Sequence, residues 1–86
     1  MERYSLEIKK GVAMDLRDIP KKHVARILKR IAALADEPRG TECEKLSSRE
    51  LYRVRQGSYR ILYEIRDADH IVVVVKVAHR SRVYDS

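Results

Sequence analysis

Apolar and polar residues alternate with a period of two through the last third of the chain. In Leu51–Gln56, Tyr52 and Val54 stand on one parity and Arg53 and Arg55 on the other. In Tyr59–Arg66 the set Tyr59, Ile61, Tyr63 and Ile65 alternates with Arg60, Leu62 and Glu64. His70–Ala78 is almost wholly apolar, with Val73, Val75 and Val77 on one parity and Val74, Lys76 and Ala78 on the other. Successive side chains of a strand point to opposite faces, so each run predicts a strand with an inner and an outer side. The inner side is expected to hold Tyr59, Ile61, Tyr63, Ile65, Val73, Val75 and Val77. The connections Gly57-Ser58 and Asp67-Ala68-Asp69 are short enough to force antiparallel neighbours.

Earlier in the chain the period changes. Tyr4, Leu6 and Ile8 alternate with Ser5 and Glu7, which predicts a first strand over Tyr4–Ile8. Val12, Ala13, Leu16 and Ile19 recur at helical spacing, giving a helix over Lys10–Asp18. Lys21–Asp36 is the clearest helix, with Val24, Ile27, Leu28, Ile31, Leu34 and Ala35 as its apolar stripe. Ile19-Pro20 joins the two into a hairpin, and Pro38-Arg39-Gly40 stops the second. Thr41–Glu50 shows no period, and Cys43 and Leu46 are expected to tuck under the hairpin. The predicted class is α+β: an N-terminal strand, a helix hairpin, then a three-stranded antiparallel meander, with the helices on one sheet face. At 86 residues, the span 1–86 reads as a single domain with one thin core.

Charge sharpens this picture. Lys and Arg number 19 against 13 Asp and Glu, a formal net charge of +6. Such a balance favours a polyanionic partner, although it also serves solubility. Placement is more telling than the total. The outer sheet face collects Arg53, Arg55, Arg60 and Lys76, with Arg80 just beyond the last strand. Like charges on adjacent strands repel, so a purely solvated face would normally be diluted with acids. Guanidinium groups on a shared face suit phosphate, which they grip through paired N–H donors. Cys43 is the one cysteine, so no intramolecular disulfide forms. Scattered histidines suggest no metal site, and no glycine-rich phosphate loop suggests a nucleotide cofactor. The first residues lack an apolar run, and Ile71–Val75 is too short to span a bilayer. A cytoplasmic protein with no cofactor and no membrane partner is expected.

The ordered set of motifs resembles the RelE/ParE superfamily of toxins from type II toxin–antitoxin pairs. The matching residues are Leu16…Ile19-Pro20, Lys45-Leu46, Leu51-Tyr52-Arg53-Val54-Arg55, Gly57-Ser58-Tyr59-Arg60-Ile61-Leu62-Tyr63-Glu64-Ile65, the valine-rich strand, and Val77-Ala78-His79-Arg80 leading to Val83-Tyr84. The resemblance covers nearly the whole chain and implies a RelE-like fold. Its RelE branch implies a ribosome-dependent endoribonuclease that cuts mRNA without a metal, using the substrate's 2′-hydroxyl as nucleophile. Arg53 and Arg55 then match paired basic residues of the second strand. Arg60 matches the arginine that grips the scissile phosphate, and Arg80 a basic residue at the leaving group. Tyr84 matches a C-terminal tyrosine that stacks on a nucleotide.

A guanidinium is a poor proton acceptor near neutrality. His79, whose type titrates near pH 6.5, is therefore the candidate for proton transfer. Strand parity, however, sets it opposite Arg80. The catalytic candidates are thus Arg55, Arg60, Arg80, Tyr84 and His79, and the RNA-binding candidates Arg53, Lys76 and Arg82. The resemblance also implies a cognate antitoxin, the ribosome and mRNA as partners, with DNA reached only through the antitoxin. Its ParE branch implies a different function, inhibition of DNA gyrase without catalysis. A third reading is a toxin-derived regulator or an inactive relative.

Overall fold

In the computed structural model, which describes residues 3–46 and 51–82, the predicted elements assemble around one mixed sheet. They are β1 (Ser5–Ile8), α1 (Lys10–Arg17), α2 (Lys21–Leu34), β2 (Glu44–Leu46), β3 (Leu51–Gln56), β4 (Tyr59–Arg66) and β5 (Ile71–His79), followed by a 3-10 turn at Arg80–Arg82. The sheet has five strands in the order β1-β5-β4-β3-β2. β1 runs parallel to β5, and the other pairs are antiparallel.

The helices form where the apolar stripes lie, but each ends earlier than the pattern suggests. Pro20 sits just before α2, where its missing N–H costs nothing, and its carbonyl accepts from the amides of His23 and Val24. α1 packs on β5, and α2 covers β3 and β4. Val12, Ile27, Ile31 and Leu34 meet Val54, Ile61, Tyr63 and Ile65 in the core. Each such side chain contributes about 1.5–3 kcal/mol when fully buried. The Tyr63 hydroxyl is satisfied inside this layer, donating to the Pro38 carbonyl at 2.6 Å. Burial pushes its phenol well above the usual range.

Three expectations are corrected. First, Glu44–Leu46 is a strand, pairing antiparallel with β3 at the sheet edge. Second, Leu46 does not tuck under the helices: it lies opposite Leu51, on the open face with Arg53. Third, β5 does not keep one parity. The β4–β5 register shifts between Leu62 and Tyr63, pairing Leu62 with Lys76 but Tyr63 with Val74. The extra residue, Val75, swaps the faces on either side of it. Val72, Val74 and Val77 therefore enter the core, while Val73 is buried on the opposite side beside Glu64.

A polar clasp closes one end of the sheet. Arg39 holds Asp67 at 3.0 and 2.8 Å and donates to the Tyr52 hydroxyl at 3.1 Å. The Tyr4 hydroxyl also donates to Asp67, at 2.9 Å, and its ring stacks on His70 at 4.0 Å. The β3–β4 turn, where the arginines gather, is at the other end of β4. Among the described residues no helix is long and apolar enough to cross a membrane.

Candidate functional site: the arginine end of the open sheet face

The hairpin of β3 and β4 sets the site's geometry. Gly57 is the first of its two turn residues and takes φ +60°, which favours a residue without a Cβ. This tight turn fixes a register in which Arg55 lies directly opposite Arg60, and Arg60 opposite Ala78 of β5. The next row on the same face runs Lys76, Leu62, Arg53 and Glu44 across four strands. The helices cover the other face, so these rows look outward. Arg55 is exposed and Arg60 half-buried, whereas Arg53 is only 8% exposed.

Arg80 joins this end through its backbone. Its amide donates to the Ser58 carbonyl at 2.8 Å, which docks the 3-10 turn on the β3–β4 turn beside the arginine row. Arg82 ends that turn, but its side chain and all of Tyr84 lie outside the described part of the molecule.

Glu44 is the acid facing this cluster from the edge strand. One of its oxygens accepts from Arg53 at 2.5 Å. Arg53 first, with Arg55 and Arg60 adding at longer range, holds the Glu44 carboxyl below the usual carboxylate range. Glu42, two residues earlier, turns instead to Arg30 of α2 at 2.9 Å. Thr41, Glu42, Glu44, Arg53 and Arg55 line a shallow depression of about 250 Å³ at this corner.

His79 stands on the helix side of β5, as strand parity predicts, and not on the face that carries Arg55 and Arg60. Its register partner is Tyr59, on the helix side, and the two rings meet edge to face at 5.5 Å. Its Nδ1 accepts from the Ser81 amide at 3.3 Å and lies 3.0 Å from the Ser81 hydroxyl. His79, Tyr59, Asp15 and Asp18 line a separate groove of about 940 Å³ along the free edge of β5. There the Val77 amide, lacking a strand neighbour, donates to Asp15 of α1 at 3.2 Å.

The arrangement thus brings together Arg55, Arg60, Lys76, Arg53 and the backbone of Arg80. Such a row of fixed positive charges stabilises an anion, above all one whose charge grows during reaction. The residue that sequence reasoning missed is Glu44. Its only signal was the parity of a three-residue strand in a stretch without a period.

The sequence profile described as "ParE toxin of type II toxin-antitoxin system, parDE" matches residues 6–84. The chain belongs to this family. It is a RelE-like toxin of the RelE/ParE superfamily. A relative named RelE1 from Methanocaldococcus jannaschii is 31% identical over 86 residues, covering 95% of this chain and 96% of that protein. Toxin RelG of Mycobacterium tuberculosis is 31% identical over 85 residues, covering 94% and 95%. The archaeal RelE–RelB complex from Pyrococcus horikoshii contains a chain of the same fold. The TM-score is 0.82 at 32% identity, with 94% of this chain and 99% of that one covered.

Proposed function

We propose that the arginine face seats RNA and that this toxin is an endoribonuclease cutting mRNA on the ribosome. The observation that carries the reading is the direct opposition of Arg55 and Arg60 on an outward face. Like-charged residues at directly opposed strand positions repel, and a phosphate bound by both offsets that repulsion.

The chemistry follows from charge. A ribose 2′-oxygen attacks the adjacent phosphorus as its proton leaves, and the bond to the 5′-oxygen breaks. The products are a 2′,3′-cyclic phosphate and a 5′-hydroxyl, which takes up a proton. Negative charge builds on the phosphoryl oxygens in the transition state. Arg60 and Arg55 stabilise it there by electrostatics, needing no proton transfer of their own. Arg80 stabilises the leaving oxygen, and Tyr84 stacks on a nucleotide. Lys76 and Arg82 contact flanking phosphates.

The RelE of Pyrococcus horikoshii was solved in complex with RelB. We infer a cognate antitoxin for this chain as well, offering acidic residues to the same face, and action in the cytoplasm. Incubating the purified protein with ribosomes and a defined transcript tests the reading. Codon-positioned cuts bearing cyclic phosphate ends are expected, and Arg60→Ala removes them while the domain stays folded. Full cleavage by a folded Arg60→Ala protein refutes the assignment. The ParE description of the family profile favours a second reading, gyrase inhibition. An SOS response with intact transcripts after induction supports that one instead.

A further inference from the structure

The helix side of the molecule carries a second cationic surface, separate from the arginine end of the sheet. α2 holds Lys21, Lys22, Arg26, Lys29 and Arg30 and not one acid in its 14 residues. At about 100° per residue, Lys22, Arg26 and Lys29 fall within an arc of about 60° on the side away from the buried Ile27, Ile31 and Leu34. All three are exposed, with exposed Ala25 and Ala33 beside them. They form a ridge about 10 Å long. Among the described residues, none of the three takes part in an ion pair or a side-chain hydrogen bond.

The acids around α2 are directed elsewhere. Glu42 holds Arg30 at 2.9 Å, and Asp36 holds Arg3 at 2.8 Å. Glu37 stands past the end of the helix. Asp15 and Asp18, at the end of α1, line the groove at the β5 edge. The ridge therefore works against the helix that bears it. Like charges three and four residues apart repel, as Lys22 with Arg26 and Arg26 with Lys29 do here. Lys21 and Lys22 also occupy the first turn, where the helix dipole favours acids. An external anion relieves both.

We propose that the α2 ridge binds the phosphate backbone of double-helical RNA, at a site distinct from the one that seats the strand to be cut. The choice of RNA rests on the reading of this toxin as a ribonuclease, and the choice of a duplex on the ridge itself. Surfaces that hold single strands stack bases on aromatic rings, and the outward arc of α2 has none. The ring of His23 turns instead to Tyr59, at 5.5 Å. An acidic protein helix would need apolar anchors beside the cations, and the arc offers only alanine. Cationic heads over small alanines suit phosphates at the rim of a groove, without regard to sequence. α2 covers β3 and β4 on the side away from Arg55 and Arg60, so a structured RNA and an unpaired strand occupy opposite faces of the molecule.

Fluorescence anisotropy on the full chain reads two probes. One is a fully paired RNA duplex, the other a single-stranded 2′-O-methyl RNA oligonucleotide, which this chemistry cannot cleave. Lys22→Gln, Arg26→Gln and Lys29→Gln combined remove the ridge charge and keep good helix formers. Duplex affinity is expected to fall about a hundredfold at about 0.1 M salt, and the slope of log affinity against log salt to flatten by about 2–3. Single-strand binding stays near wild type. Arg60→Ala does the reverse, weakening the single strand and sparing the duplex. Thermal melting checks folding, and Tm of the triple variant at low salt should not fall, since the repulsion along α2 is gone. Should that variant not fold, Arg26→Gln alone reads the same slope, with a change of about 0.7–0.9.

Failure of wild type to bind the duplex, or wild-type duplex affinity in the folded triple variant, overturns this inference alone. Tighter binding of a DNA duplex than of an RNA duplex of equal length overturns it in favour of DNA. Single-strand binding indifferent to Arg60→Ala sinks the reading of the arginine face, whereas duplex loss in the triple variant still supports the ridge.

Discussion

Replacing Arg55 by glutamine separates the stability of the fold from its activity. Arg55 and Arg60 stand directly opposite each other in the β3–β4 ladder, and Arg55 is exposed. Like charges in that position cost about 0.2–1 kcal/mol. Arg55 also attracts Glu44, but that carboxylate is already bonded to Arg53. A net relief of about 0.5 kcal/mol is therefore expected at low salt. For a domain of this size that raises Tm by about 2–4 °C. Since the Debye length shrinks from about 10 Å at 0.1 M salt to about 3 Å at 1 M, the gain disappears at high salt. RNA binding moves the other way. Loss of one charged contact weakens it about tenfold or more, and the salt slope falls by about 0.7. Differential scanning fluorimetry across ionic strength, with anisotropy on the same oligonucleotide, measures both. A drop in Tm at low salt together with unchanged RNA affinity refutes the reasoning. Arg55 would then be a structural residue rather than one held ready for an anion.

Other expectations follow from the clasp, the core and the far groove. Arg39 first, and Tyr4 second, hold the Asp67 carboxyl below the usual range. Its contribution is therefore complete above about pH 4 and is lost as pH falls through the depressed value. Melting curves should show Asp67→Asn less stable than wild type at pH 7, with the gap closing in acid. Tyr63→Phe strands the buried Pro38 carbonyl that the hydroxyl now satisfies. It should cost about 1–2 kcal/mol, lowering Tm by roughly 5–10 °C, and leave cleavage intact because the ring is on the helix side. His79→Ala should preserve the cleavage rate across pH 6–8, since its ring lies against Tyr59 and not beside Arg60. A lost titration in that range would return His79 to the reaction.

The residue pattern alone determined what is local. Period-two alternation assigned Arg53, Arg55 and Arg60 to one face of β3 and β4, because side-chain direction in a strand follows from the backbone itself. The same holds for the buried stripes of α1 and α2, and for the tight turn at Gly57 that brings Arg55 to Arg60. Tertiary structure decided what depends on partners far along the chain. β2 has three residues and no period of its own, so it exists only because β3 offers an edge. The shift at Leu62/Tyr63 is a property of two strands in register, invisible in either one. It exchanged the faces of Val72, Val73 and Val74, and left Val77 and His79 on the side that strand parity gives them. Glu44 became part of the site by the same route, through a cross-strand neighbour nine positions away.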